Sequence, residues 1–107
     1  MALQIFGRKK SFETKKAERF FKERRVPYQY IDVDRVGISK GELESVMRAA
    51  GGWRNLVADP SELQYFSEEA ILTRLLDEPE RLIMPIVRNG KRAAVGDAPA
   101  AWKELAE

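Results

Sequence analysis

Residues 3–33 read LQIFGRKKSFETKKAERFFKERRVPYQYIDV, in which a charged stretch separates two short apolar runs. The first run, Leu3–Phe6, ends at a glycine and predicts a buried strand followed by a turn. Apolar residues recur at helical spacing over Phe12–Phe21, which predicts an amphipathic helix. The helix should end before Pro27, because the residue preceding a proline disfavours the α conformation. Tyr28–Val33 predicts a second strand, so the stretch forms a β-α-β unit.

The middle of the chain carries helical patterns with recognisable starts. Ser39 and Glu42 have the S-x-x-E spacing of a capping box, in which the two side chains bind each other's backbone N–H groups. That helix should end where Gly51-Gly52 breaks the pattern. We expect Trp53–Pro60 to be irregular or to form one short turn, and another helix to begin near Ser67.

The C-terminal third has the pattern of a hairpin followed by a helix. Asn89-Gly90 lies between the apolar runs Leu82–Val87 and Ala93–Val95, which predicts a hairpin with a type I′ turn at these two residues. Asp97 is expected to cap the last helix.

These elements predict a single α/β domain over residues 1–107. The first β-α-β unit should be parallel and right-handed, and the hairpin must be antiparallel. The sheet is therefore expected to be mixed and about four-stranded, with helices on its faces. This is a thioredoxin-like order, with a helical insertion between the β-α-β half and the hairpin-helix half.

The composition excludes several classes of chemistry. With no cysteine and no histidine, the chain lacks a thiolate, a disulfide and the usual neutral-pH general base. No separated carboxylate pair suggests hydrolysis, and no metal site is expected. No apolar run is long enough to span a membrane, and no secretory signal is recognisable, so we expect a cytoplasmic protein.

Positive charge is concentrated near the N-terminus. Residues 8–25 carry a net charge of +6 and the remainder −4, so that the whole chain has +2. A nucleic-acid-binding surface would favour a larger overall excess and interleaved exposed aromatic residues, which disfavours that partner. Cations just before a predicted helix N-terminus could form an anion site or be a solvated charged loop. The candidate anion-binding residues are Arg8, Lys9, Lys10, Ser11, Phe12, Glu13 and Thr14.

Two blocks of sequence have the spacing of a known pair of motifs. Ile5–Gly7, Ser11–Ala17 and Val26–Tyr28 fit a strand leading to Cys-x-x-[Cys/Ser/Thr]-[Arg/Lys]-Lys-Ala at the head of a helix. Leu82–Lys91 followed by Val95-Gly96 fits R-P-[IL]-V-x-x-G-[KR]-x-x-x-G. Together they resemble the arsenate reductase (ArsC)/Spx family, over nearly the whole chain.

The resemblance places Ser11 on the family's nucleophilic cysteine and makes Pro85 a cis-proline facing the helix N-terminus. Met84 stands where arsenate reductases carry an arginine, which removes a cation for the oxyanion. A serine hydroxyl without a histidine to activate it cannot take over the redox chemistry of a thiolate. Ser11 could still shape a ligand pocket, could serve only as an N-cap, or could be a deliberate replacement of cysteine.

Two functions follow from this resemblance. The first is a redox-inactive binding or regulatory module with a small-oxyanion pocket, which could contact a protein partner as Spx-like relatives contact RNA polymerase. The alternative is a glutaredoxin-like or arsenate reductase-type oxidoreductase, which either had a natural cysteine at position 11 or depends on glutathione as an external thiol.

Overall fold

The computed structural model describes residues 3–107. Its strands are β1 (Leu3–Gly7), β2 (Tyr28–Asp32), β3 (Ile86–Asn89) and β4 (Arg92–Val95). Its α-helices are α1 (Phe12–Glu23), α2 (Val33–Val36), α3 (Lys40–Ala49), α4 (Glu68–Asp77) and α5 (Pro99–Leu105). Short 3₁₀ turns lie at Trp53–Leu56, Pro60–Glu62 and Pro79–Arg81.

The four strands form one mixed sheet in the order β2-β1-β3-β4. β1 pairs in parallel with β2 and antiparallel with β3, and β3 and β4 form the antiparallel hairpin. The predicted α/β fold class, a mixed four-stranded sheet with flanking helices, is confirmed. The helical insertion between the two halves is α3 and α4 with their connecting turns.

Each face of the sheet has its own hydrophobic core because successive strand residues point to opposite faces. Ile5 packs with residues of α1 and α5, among them the fully buried Phe21 and Trp102. Phe6, the next residue, belongs to the cluster on the other face, which includes the fully buried Leu43 of α3. β1, one of the two interior strands of the sheet, is thereby covered on both sides, which fixes where its C-terminal end emerges.

The predicted second strand is one residue too long. β2 ends at Asp32, whose carboxylate accepts a hydrogen bond from the Asp34 backbone N–H at 3.1 Å and caps α2. Val33 is therefore the first residue of a short helix, and it is buried against the α3–α4 side.

The hairpin is confirmed, but its predicted turn is wrong. Asn89 pairs with Arg92, so the two loop residues are Gly90 and Lys91. Gly90 alone has a positive φ, 65°, which fits a type II′ turn rather than type I′. The Asn89 side chain donates a hydrogen bond to the Leu105 carbonyl at 2.7 Å, a long-range contact that holds Asn89 within the strand.

The predicted cap of the last helix is also wrong. α5 begins at Pro99 after Ala98, which makes no side-chain cap. Asp97 instead forms an ion pair with Lys16 of α1, with 3.0 Å between Oδ2 and Nζ. No helix in residues 3–107 has both the length and the apolar character needed to cross a bilayer.

Candidate functional site

The loop between β1 and α1 brings most of the predicted site residues together. Ser11 has an extended backbone, with φ −78° and ψ 121°, and its Oγ accepts the Thr14 N–H at 3.1 Å. The Ser11 N–H donates to the Arg8 carbonyl at 3.1 Å. Ser11 is thus the N-cap of α1, in the conformation and with the bond expected of that position.

Thr14 fixes the loop from inside the protein. It is 1% exposed, and its Oγ1 accepts the Arg8 backbone N–H at 3.3 Å. A Cβ placed on Gly7 would lie 2.2 Å from the Thr14 Cγ2, so the close approach of strand and helix requires a glycine there. Gly7 and Thr14 therefore set how the chain leaves the sheet and enters α1.

The Arg8 guanidinium is bound by other parts of the protein. Its Nε lies 3.3 Å from Asp34 Oδ1, and its Nη1 donates to the Leu82 carbonyl at 3.1 Å. Its Nη2 donates to the Pro79 carbonyl. All three guanidinium nitrogens therefore face protein oxygen atoms, and the side chain ties the β1–α1 loop to α2 and to the segment leading into β3.

The remaining predicted residues face solvent around the head of α1. Lys9, Lys10, Phe12 and Glu13 are exposed, and neither lysine forms an ion pair within residues 3–107. Among the same residues, the backbone N–H groups of Phe12 and Glu13 have no acceptor, as is usual in the first turn of a helix. The positive end of the helix dipole and two ammonium groups thus meet at one exposed place.

A cleft of about 500 Å³ runs beside this loop. Its lining residues are Arg8, Lys9, Lys10, Ser11, Asp32 and Asp34. Sequence reasoning had left both aspartates out of the site. Parallel pairing places Gly7 opposite Asp32, so the ends of β1 and β2 meet at the same edge; that topology is the signal that could have found them. Both carboxylates are engaged, Asp32 by the Asp34 N–H and Asp34 by Arg8.

Pro85 lies beside the same end of β1. The peptide bond between Met84 and Pro85 is cis. Ile86, the next residue, pairs with Phe6, which brings Pro85 to the edge where Gly7 leaves the sheet. Met84 is 6% exposed and belongs to the core of the α3–α4 face, so its thioether is turned into that core.

Comparisons with known proteins match the fold and not the sequence. No family model and no curated protein sequence matches the chain. Among solved structures, an arsenate reductase from Vibrio cholerae superposes with a TM-score of 0.85 at 19% identity, covering 98% of both chains. The chain has the arsenate reductase (ArsC) fold. An ArsC-related protein from Brucella melitensis gives 0.68 at 19% identity, covering 97% of this chain and 93% of its own. A Staphylococcus aureus protein gives 0.80 at 21%, covering 95% and 96%.

At the position that matches the motif cysteine, this chain has Ser11 and therefore an oxygen in place of a sulfur. Ser11 Oγ is already committed to the Thr14 N–H, and the sequence has no cysteine elsewhere. Within residues 3–107, acidic side chains nowhere converge in a group of three that could hold a metal ion.

A tyrosine beside α1 has the largest pKa displacement. Burial, together with the hydrogen bond from Tyr28 to the Glu18 carboxylate at 3.0 Å, raises the pKa of Tyr28 to about 12. Tyr28 therefore remains a neutral donor near neutral pH and fastens α1 to β2 rather than serving as an acid or base at the head of the helix.

Proposed function

We propose that this chain is a cysteine-free member of the ArsC fold that carries out no thiol redox chemistry and serves as a binding or regulatory module with a small-oxyanion site at the head of α1. The observation that carries the proposal is Ser11, whose Oγ caps α1 at 3.1 Å from the Thr14 nitrogen in a chain without cysteine. A serine oxygen can form no disulfide, so an ester on Ser11 offers no thiol–disulfide exchange and the reductive half of the family's chemistry has no route through this residue.

Three features of the α1 head support binding of an oxyanion such as sulfate, phosphate or arsenate. The N–H groups of Phe12 and Glu13 are available, the helix dipole favours negative charge, and Lys9 and Lys10 add mobile cations. The carboxylates of Asp32 and Asp34 lie in the same cleft, but each already accepts a hydrogen bond from the protein. An anion would therefore sit on the α1 side of the cleft.

We place this function in the cytoplasm, with a protein partner as the regulatory target. Glutathione is the alternative ligand, since its carboxylates suit the same cations and it would bring a thiol of its own. That alternative would make the protein an oxidoreductase dependent on an external thiol.

A turnover assay separates these functions. The protein as it stands is expected to form no arsenite from arsenate and to reduce no disulfide in the presence of glutathione and glutaredoxin. Ser11→Cys is the matched variant. Its thiol should react readily with a disulfide reagent at a pH below the usual thiol pKa, because a helix N-terminus stabilises the thiolate. Turnover by the unmodified protein would overturn the proposal in favour of the oxidoreductase.

Oxyanion binding is tested separately by calorimetry with sulfate and arsenate. Ser11→Asp places a tethered carboxylate at the α1 head and should abolish binding, whereas Ser39→Asp makes the same change at the head of α3 and should leave it intact. Equal affinities for the unmodified protein and Ser11→Asp would contradict the site.

A further inference from the structure

α1 carries an exposed aromatic ring among its cationic side chains. Phe12, the first residue of α1, is 72% exposed, while the buried side of the helix is Thr14, Ala17 and Phe21. A single exposed apolar side chain is ordinary on a protein surface. The surroundings of Phe12 distinguish it.

Cations surround Phe12 on the helix and in the preceding loop. Residues three, four and seven positions after Phe12 lie on its side of the helix, and they are Lys15, Lys16 and Arg19. Lys9 and Lys10 precede it and are exposed. We call the set formed by Lys9, Lys10, Phe12, Lys15 and Arg19 the α1 basic face. Within residues 3–107, none of its four cations forms an ion pair.

Several other charges of residues 8–25 are engaged in internal contacts. Arg8 is held by Asp34, and Lys16 by Asp97. The Arg24 guanidinium stacks 3.6 Å above the Phe20 ring. Glu18 accepts the Tyr28 hydroxyl on the flank of the helix. Among residues 8–25, six cations form no ion pair or ring contact within residues 3–107, and four of them, Lys9, Lys10, Lys15 and Arg19, lie on the α1 basic face. The other two are Lys22 and Arg25, and the carboxylates of Glu13 and Glu23 are also without an ion pair, which leaves a net positive charge that is largest on the α1 basic face.

We infer that the α1 basic face docks an acidic protein segment that contributes one or two large apolar side chains to Phe12. This inference rests on the proposed role as a binding module and names its partner by chemistry. Complementary charge would steer and orient the segment, and contact with the Phe12 ring would supply the desolvated centre that interfaces use for affinity. Twelve helical residues offer a docking length of roughly 18 Å.

A protein segment fits this surface better than a nucleic acid does. The remainder of the chain carries −4 and would repel a polyphosphate extending beyond α1. Single-stranded nucleic acids are held by several stacking aromatic residues along a basic groove, whereas the α1 basic face offers one ring.

The experiment uses fluorescence anisotropy with a labelled polyglutamate peptide that has a central pair of leucines, and a matched peptide with serines in their place. The leucine peptide should bind more tightly. Phe12→Ala should weaken binding of the leucine peptide about five- to tenfold without changing binding of the serine peptide. The double variant Lys15→Glu/Arg19→Glu should weaken the binding of both peptides by more than tenfold, and added salt should also weaken their binding to the unmodified protein.

Matched controls lie elsewhere on the molecule. Phe66→Ala removes another exposed ring, and Lys40→Glu/Lys91→Glu reverses the same number of charges outside residues 8–25; neither should alter binding. An effect of the controls equal to that of the α1 variants would overturn the inference, as would tighter binding of an oligothymidylate at the same salt concentration. Because Phe12→Ala retains Ser11 and its cap, sulfate calorimetry on this variant shows whether the oxyanion site stands or fails independently.

Discussion

α1 and α3 are both capped by a serine, but the hydrogen bonds around the two caps differ. Each helix follows a serine whose Oγ accepts the N–H of the third helical residue, at 3.1 Å for Ser11 and 3.2 Å for Ser39. In α3, the Glu42 carboxylate returns to the Ser39 N–H at 3.2 Å and to its hydroxyl at 2.9 Å. In α1 the equivalent residue is Thr14, which turns inward to the Arg8 N–H.

The third helical residue therefore decides whether a carboxylate binds back to the cap. α1 also has an acidic residue in its first turn, Glu13, but this side chain is exposed and forms no hydrogen bond within residues 3–107. The glutamate of α3 already places negative charge at the positive end of the helix dipole. The threonine of α1 is neutral and buried, and Lys9 and Lys10 add positive charge in front of it. In α3 a carboxylate is bonded to the cap, whereas at the α1 head the Phe12 and Glu13 N–H groups and the two lysines remain available to an anion from solution.

The largest expected difference between the two heads comes from their glycines. Gly7→Ala would place a Cβ 2.2 Å from Thr14 Cγ2, whereas a Cβ on Gly41 of α3 meets nothing within 4 Å. Gly7→Ala should lower the free energy of unfolding by about 1–3 kcal/mol through overpacking. Gly41→Ala should raise it by up to about 1 kcal/mol, because alanine favours a helix. Urea unfolding measures both changes in the free energy of unfolding. Equal changes would show that Thr14 does not exclude a side chain at position 7.

Arg8 and Lys9 provide the next test, since adjacent cations have different roles at the α1 head. Arg8→Met removes the contacts to Asp34, Leu82 and Pro79 and should cost about 2 kcal/mol of stability. Lys9→Met should change stability by less than about 0.5 kcal/mol, as is usual for an exposed side chain. Thermal unfolding in which Lys9→Met is the more harmful change would exclude Arg8 as the structural tie.

The serine caps give a smaller effect. Ser11→Ala and Ser39→Ala should each cost about 1 kcal/mol, because each removes a hydrogen-bond acceptor from a helix N-terminus. Ser11→Asp should stabilise the protein by about 0.5 kcal/mol through the dipole and neighbouring lysines. Ser39→Asp should give no such gain, since the new carboxylate would face Glu42. A gain at Ser39 and not at Ser11 would reverse the comparison.

A last effect, seen only at high pH, concerns α1 away from its head. Tyr28 has a raised pKa in the folded state, so its contribution to stability is present below pH 10 and is lost as the pH rises through about 12. The unmodified protein should therefore lose stability more steeply over this range than Tyr28→Phe, as measured by urea unfolding at several pH values. The same slope in both proteins would exclude Tyr28 as the titrating group.

Sequence reasoning succeeded where the interacting residues are close in the chain. Ser39 and Glu42 are three residues apart, so their spacing alone indicates the capping box, and the place of Ser11 just before an amphipathic run indicates the cap of α1. It failed where a distant residue decides. Arg8 reaches Pro79 and Leu82 across more than 70 positions, and Asn89 is held in its strand by the Leu105 carbonyl. Aspartate is a common helix cap, but Asp97 forms an ion pair with Lys16 of α1 instead.

A sulfate titration of the ¹⁵N-labelled protein, followed at the amides of both helix heads, shows whether α1 alone binds an oxyanion. An oxyanion site at the α1 head should give saturable shifts at Phe12 and Glu13 at millimolar sulfate, with Lys40 and Gly41 unchanged, and these shifts should be lost in Ser11→Asp. Unchanged Phe12 and Glu13 amides, or equal shifts at the two heads, would contradict it.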